Sequence, residues 1–119
     1  MARGQGVMDG ETLDEILARK IPSLFPGCED SVKELLSRYG VETYEREPQR
    51  VRLAILKLSR GEIDRAGDYL EEAKKDYRDV LAWAEYPEQV RAPTWKLAPE
   101  ENAAMQKRDL EQYEEWLRE

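Results

Sequence analysis

The side chains that most often carry acid–base and metal chemistry are missing from this sequence. It contains no histidine and a single cysteine. Histidine is the commonest general base near neutral pH and the commonest metal ligand, so histidine-dependent triads and zinc sites are excluded within this chain. The phosphate-cradling patterns GxxxxGK[ST] and GxGxxG are absent as well. We therefore predict that the protein is not an enzyme and that it holds no cofactor or metal.

Paired carboxylates are the chemistry that remains. Asp76 and Asp79 are three residues apart, about one helical turn, and such a pair can transfer protons or hold a hard cation. Lys75 and Arg78 are interleaved with them, which is typical of a solvated helix face with alternating charge. We favour the solvated face over a site.

The thiol of Cys28 is the other reactive group. It follows a glycine near an expected helix start, where the helix dipole can stabilise a thiolate. The adjacent acids Glu29 and Asp30 oppose ionisation of the thiol. We favour a buried or unreactive cysteine.

One stretch is strongly basic in an otherwise acidic chain. The protein has 19 basic and 26 acidic residues, yet residues 46–60 contain five basic residues and one acid. The candidate basic patch in this stretch consists of Arg46, Arg50, Arg52 and Lys57. It could bind phosphates or an acidic partner, or it could face the acidic segment 100–119 of the same chain. We favour pairing within the protein or with a protein partner, because a net charge of −7 disfavours nucleic acid.

The elements that must position these residues are helical. Apolar residues recur at three- and four-residue steps between proline and glycine residues, which is typical of amphipathic helices. Thr12 and Glu15 have the spacing of a capping box, and proline at positions 48 and 99 suits a first helical turn. We expect Pro22 and Pro26–Gly27 to end the first helix and to form a turn. The predicted helices cover about residues 12–21, 30–39, 48–60, 63–86 and 99–117.

The longest of these patterns runs from Ile63 to Ala84, and it predicts one helix that ends at Tyr86–Pro87. We expect an all-α fold, a compact bundle of four to five helices around a central antiparallel hairpin of residues 48–60 and 63–86. Residues 11–119 would form a single domain and residues 1–10 a disordered lead-in, with 86–98 irregular. The longest apolar run has five residues, too few to span a bilayer, and we expect a cytoplasmic protein without membrane contact.

Aromatic and charged residues near the end of the predicted 63–86 helix form a candidate interaction surface. It consists of Tyr69, Asp76, Arg78, Asp79, Trp83, Glu85 and Tyr86. Aromatic and charged side chains of this kind are frequent in binding hot spots. The alternative, which we favour for Trp83, is core packing against Trp95 or against Tyr113 and Trp116. The free carbonyl groups at this helix end could be capped by a side chain such as Arg91, or a partner could supply the donors.

Three segments resemble a family of small uncharacterised bacterial proteins. They are VRLAILKL at 51–58, KDYRDVLAWAEYP at 75–87 and DLEQYEEWL at 109–117. The resemblance implies a bacterial, cytosolic setting. It draws attention to Tyr77, Arg78, Asp79, Trp83, Glu85 and Tyr86. It implies no activity and no catalytic residue.

The prediction for function is a non-enzymatic protein–protein interaction module or a homo-oligomer, with a homodimer through apolar surface on the terminal helices. The alternative is a nucleic-acid or anionic-ligand binder that uses the stretch Arg46–Arg60. An enzyme whose site is completed by a partner chain ranks third.

Overall fold

The computed structural model describes residues 11–92 and 96–119, and the regular structure in these ranges is helical, without a strand. The helices are α1 Leu13–Leu24, α2 Glu29–Ser37, α3 Pro48–Ser59, α4 Ile63–Lys75, α5 Tyr77–Glu85, α6 Pro87–Arg91 and α7 Pro99–Arg118. The prediction of an all-α fold is confirmed for this part of the chain. The predicted lead-in, residues 1–10, and Trp95 lie outside the described residues. None of the described helices combines the length and the apolar character that crossing a membrane requires.

Helix starts follow the local sequence closely. Thr12 caps α1 reciprocally, since its backbone N–H donates to Glu15 Oε1 at 2.8 Å while the Glu15 N–H donates to Thr12 Oγ1 at 3.1 Å. Proline occupies the first turn of α3 and of α7, as expected. The prediction that α1 ends at Pro22 was wrong, because Pro22 lies inside the helix, which continues to Leu24. The predicted turn at Pro26–Gly27 follows the helix. Pro22 is exposed and in the last turn, so it removes one hydrogen bond without a steric conflict with another element.

The single helix predicted over 63–86 is interrupted at Asp76. This residue is extended, with φ −157° and ψ 102°, and its carboxylate accepts the Arg78 N–H at 3.0 Å as the N-cap of α5. An aspartate side chain offers the backbone this alternative to a helical hydrogen bond, and the regular apolar spacing continues across the break. A further helix, α6, occupies part of the segment predicted to be irregular. The predicted number of helices, four to five, was therefore too low for the described residues, which form seven.

Helix α3 is the centre of the core. Val51, Leu53, Ala54, Ile55 and Leu56 are each at most 1% exposed, so α3 is buried around most of its circumference. It packs against α1, α4 and α5. The broad apolar stripe of this segment predicted a central position, and the burial of α3 agrees with it.

The end of α7 is held by α1. Arg19 donates hydrogen bonds to the backbone carbonyl groups of Leu117 and Glu119, the second at 2.9 Å. Lys20 donates to the Glu119 carbonyl at 3.2 Å, and its ammonium lies 4.2 Å from the ring centroid of Trp116. These contacts supply donors for carbonyl groups that a helix C-terminus leaves unsatisfied.

The loop between α2 and α3 is organised by one carboxylate. The Glu45 side chain is 1% exposed, and its Oε1 accepts the backbone N–H groups of Gly40, Val41 and Glu42 at 2.9, 3.0 and 3.3 Å. Its Oε2 accepts from Lys74 Nζ at 2.7 Å. Burial would raise the Glu45 pKa, but the hydrogen bonds from Lys74 and the three N–H groups outweigh it and lower the pKa to about 2. This carboxylate therefore joins the loop to α4.

Candidate functional site: a basic cleft

The predicted basic patch is divided between separate internal contacts. Arg50 forms a two-point ion pair with Glu85 of α5, with nitrogen–oxygen distances of 2.7 and 2.6 Å. Arg52 donates to the carbonyl groups at the end of α2, to Leu36 at 3.1 Å and to Tyr39 at 2.7 Å. Arg50 thus pairs with α5 and not with the acidic C-terminal segment. Arg46 is exposed at the end of the α2–α3 loop.

The predicted interaction surface is also divided. The Asp76 carboxylate binds the guanidinium of Arg78, with Nε at 2.9 Å, and these hydrogen bonds lower the pKa of Asp76. Glu85 is paired with Arg50, while Asp79 is exposed. Of the seven residues predicted as one surface, Asp76 and Arg78 pair with each other, and Glu85 pairs with a residue of α3. Tyr86, which is 37% exposed, caps the end of α5.

Two members of that set do meet. The rings of Tyr69 on α4 and Trp83 on α5 are in edge contact, with centroids 6.1 Å apart and planes at 64°. Both side chains are partly buried against the core. Trp83 therefore packs as predicted on the core, but its aromatic partner is Tyr69, whereas Tyr113 and Trp116 stack on each other at 5.9 Å.

Tyr69 and Trp83 form part of the wall of a cleft of about 470 Å³, which we call the basic cleft. The remaining residues around it come from α3, the α3–α4 turn, α4, α6, the α5–α6 junction and α7. They are Lys57, Leu58, Arg60, Arg65, Pro87, Val90, Arg91 and Gln112. Four of the residues around the basic cleft are cationic, and no carboxylate lines it among the described residues. This composition is notable in a chain whose net charge is −7.

Lys57 and Arg60 line the α3 side of the basic cleft. Lys57 is partly buried, and removal from water together with the nearby charge of Arg60 lowers the pKa of its ammonium, an effect that Asp109 partly opposes. Arg60 follows the last residue of α3 in the left-handed conformation, with φ 53°, a region that costs a non-glycine residue about 1 kcal/mol or more. The backbone there would be more stable with glycine.

Arg65 of α4 has unused hydrogen-bonding capacity. One terminal nitrogen donates weakly to the Leu58 carbonyl at 3.4 Å, and the buried Nε has no acceptor. A buried donor without a partner normally costs about 1–3 kcal/mol, more if charged. In the described ranges none of Lys57, Arg60, Arg65 or Arg91 forms an ion pair, although seven other basic residues do.

Helix α7 positions the α6 wall of the basic cleft. The Asp109 carboxylate, 1% exposed, accepts the backbone N–H groups of Glu88 and Gln89 at 3.0 and 3.1 Å and so caps the first turn of α6. Gln112 donates to the carbonyl groups of Ala84 and Glu85 at 3.4 and 3.3 Å.

The cap that was predicted for Arg91 is therefore made by Gln112 from α7. Arg91 lines the basic cleft instead. The sequence spacing suggested Arg91 because it is close to the end of α5 along the chain. The donor that meets these carbonyl groups comes from a helix more than twenty residues further on.

Other chemistry finds little support in the geometry. The described residues contain no group of three or more histidine, cysteine, aspartate or glutamate side chains placed to hold a metal ion. The Cys28 Sγ lies 3.7 Å from the Phe25 carbonyl oxygen, and the residue is partly buried.

Comparison of the chain with protein-family models, with curated proteins and with solved structures found no match. The resemblance of residues 51–58, 75–87 and 109–117 to a family of small bacterial proteins stays a prediction.

Proposed function

We propose that this protein is a non-enzymatic interaction module that binds an acidic segment of a partner protein in the basic cleft. The observation that carries the proposal is the set of four cations, without an ion pair in the described residues, around one concave surface. Folding alone gains nothing from placing like charges together, since each raises the electrostatic energy of the others. An anionic partner would relieve that repulsion.

The size and rim of the basic cleft favour a segment over a folded domain. A volume of about 470 Å³ accommodates a few side chains. Val90 is 43% exposed on the α6 wall, and it offers an apolar contact beside the cations. Partly desolvated charge pairs contribute more to affinity and specificity than exposed ones, because water screens them less.

The alternative, a nucleic-acid binder along Arg46–Arg60, has less support. Arg50 and Arg52, which would have to contact phosphates, are already engaged with Glu85 and with the end of α2. The proposal keeps a bacterial, cytoplasmic setting and a bundle built on a central antiparallel pair, α3 and α4. A second copy of the chain is an alternative partner, and size exclusion with light scattering distinguishes it.

A fluorescence anisotropy titration tests the proposal. The probe is a fluorescein-labelled peptide of four glutamates and one leucine, titrated with the purified protein at low and moderate salt. We expect saturable binding that weakens as salt rises. The double variant Arg65→Gln/Arg91→Gln should lose at least ten-fold in affinity.

The matched control removes the same charge elsewhere. Lys107 and Arg118 are exposed on α7 and do not line the basic cleft. The double variant Lys107→Gln/Arg118→Gln should bind like the parent protein. Equal losses in the two double variants would mean that net charge, and not the basic cleft, determines binding, and the proposal would be rejected.

A further inference from the structure

We infer that the group recognised in the basic cleft is a phosphate monoester dianion, as on a phosphorylated serine or threonine of the partner protein. This inference rests on the proposed function and specifies its ligand. The number of positive charges around the basic cleft is the first argument for a phosphate. A phosphorylated side chain carries a charge of about −1.5 to −2 near pH 7 and three strong acceptor oxygens, whereas a carboxylate carries one charge and two oxygens. Four cations are in excess for a carboxylate and suit a dianion.

The available donors also suit phosphate. The guanidinium of Arg65 makes one weak hydrogen bond, to the Leu58 carbonyl, and its buried Nε has no acceptor among the described residues. Guanidinium groups bind phosphate through two parallel hydrogen bonds, a geometry that lysine cannot reproduce. Lys57 adds a compact positive charge from the α3 side, and the charge of Arg60 is near enough to perturb it.

The conformation of Arg60 is a further, independent argument. It is one of two non-glycine residues in the described chain with a positive φ, and Gly61 beside it also has a positive φ of 79°. A positive φ costs arginine more conformational energy than glycine, so arginine at this position lowers the stability of the fold. Such strained residues are common at binding sites. Arg60 in this left-handed turn lines the basic cleft.

Three labelled peptides that differ at one position test the inference. Each has the sequence Leu-Glu-Glu-X-Glu-Glu, with X serine, glutamate or phosphoserine, and each is titrated by fluorescence anisotropy at one ionic strength. We expect the phosphoserine peptide to bind at least ten-fold more tightly than the glutamate peptide. The preference should rise as pH increases from 5 to 7, because the second phosphate ionisation lies near pH 6. The chain contains no histidine that would titrate in the same interval.

Two variants separate a role in recognition from a role in folding. Arg65→Lys keeps the charge but removes the two-point geometry, so the phosphoserine preference should fall while glutamate binding changes little. Arg91→Gln alters an exposed residue on α6, and it should weaken the phosphoserine peptide most. Circular dichroism and thermal unfolding establish that both variants are folded.

The outcomes distinguish this inference from the proposed function. Equal binding of the glutamate and phosphoserine peptides would overturn the phosphate assignment and leave the acidic-segment proposal intact. If no peptide binds, both are overturned. If inorganic phosphate or adenosine monophosphate displaces the labelled peptide as effectively as unlabelled phosphoserine peptide does, the phosphate assignment holds. The ligand is then a small phosphate compound, and the protein-partner proposal fails.

Discussion

Replacement of Glu45 by glutamine should cost the protein about 3 kcal/mol of folding free energy at pH 7. The glutamine amide has nearly the same shape, so packing is preserved. Its oxygen can still accept from the N–H groups of Gly40 and Val41, but its nitrogen then faces the Lys74 ammonium, donor against donor. The change therefore isolates the carboxylate charge.

The magnitude follows from the pKa of Glu45. The folded protein lowers this pKa from 4.5 to about 2, and each pKa unit corresponds to about 1.4 kcal/mol, which gives about 3 kcal/mol. Because the folded-state pKa lies below the unfolded value, the stabilisation is present above about pH 4.5. It is lost progressively as pH falls from there to about 2.

Urea unfolding at pH 7 and at several pH values down to 2.5 measures the effect. The control is Glu42→Gln in the same loop, which changes the net charge equally and alters an exposed side chain. Wild type and Glu45→Gln should differ by about 3 kcal/mol at pH 7, about 10 °C in melting temperature, and should converge at the acid end. A loss at pH 7 no larger than that of Glu42→Gln would refute the reasoning.

Three other variants test the supports of the fold. Gly40→Ala should destabilise by about 1–3 kcal/mol in thermal unfolding, because φ is 98° and the new Cβ would lie 2.9 Å from the Cβ of Pro48; an unchanged melting temperature would contradict this. Asp109→Ala removes the cap of α6, so it should lower the free energy of unfolding by about 2 kcal/mol and speed tryptic cleavage after α6. An unchanged cleavage rate would mean that the cap does not hold this helix. Arg19→Ala should raise hydrogen exchange in the last turn of α7 at little cost to global stability, and unaltered exchange at Leu117 would count against the clamp.

Local chemistry in the sequence was enough to predict most helix starts. The capping box at Thr12 and the prolines at 48 and 99 act within one helical turn, so they need no tertiary information. The interruption at Asp76 was not predicted, because the apolar spacing is the same on both sides of it. An aspartate inside an apolar period was a signal, but lysine and arginine neighbours made it look like ordinary surface charge.

The basic cleft could be predicted only in part. Tyr69, Trp83 and Lys57 were candidates from their residue types, but they belonged to two separate sets. Arg65 gave no signal in the sequence, since arginines on amphipathic helices are common, and Arg91 was considered only as a cap for the preceding helix. Their convergence depends on how α4, α5 and α6 pack, which is tertiary information. The same holds for the cap by Gln112, whose acceptors are distant in sequence.

The interruption at Asp76 also determines how this region tolerates a change in length. In one continuous helix, Tyr69 and Trp83 would be fourteen residues apart, about 21 Å along the axis. The change of chain direction at Asp76 brings their ring centroids to 6.1 Å, so α4 and α5 contact each other through these two side chains. One residue inserted in α4 or α5 between Asp76 and the aromatic residue would rotate that aromatic ring by about 100° around the helix axis, away from the other ring. We therefore expect related chains to keep the spacing of each aromatic residue from Asp76 constant and to vary in length elsewhere.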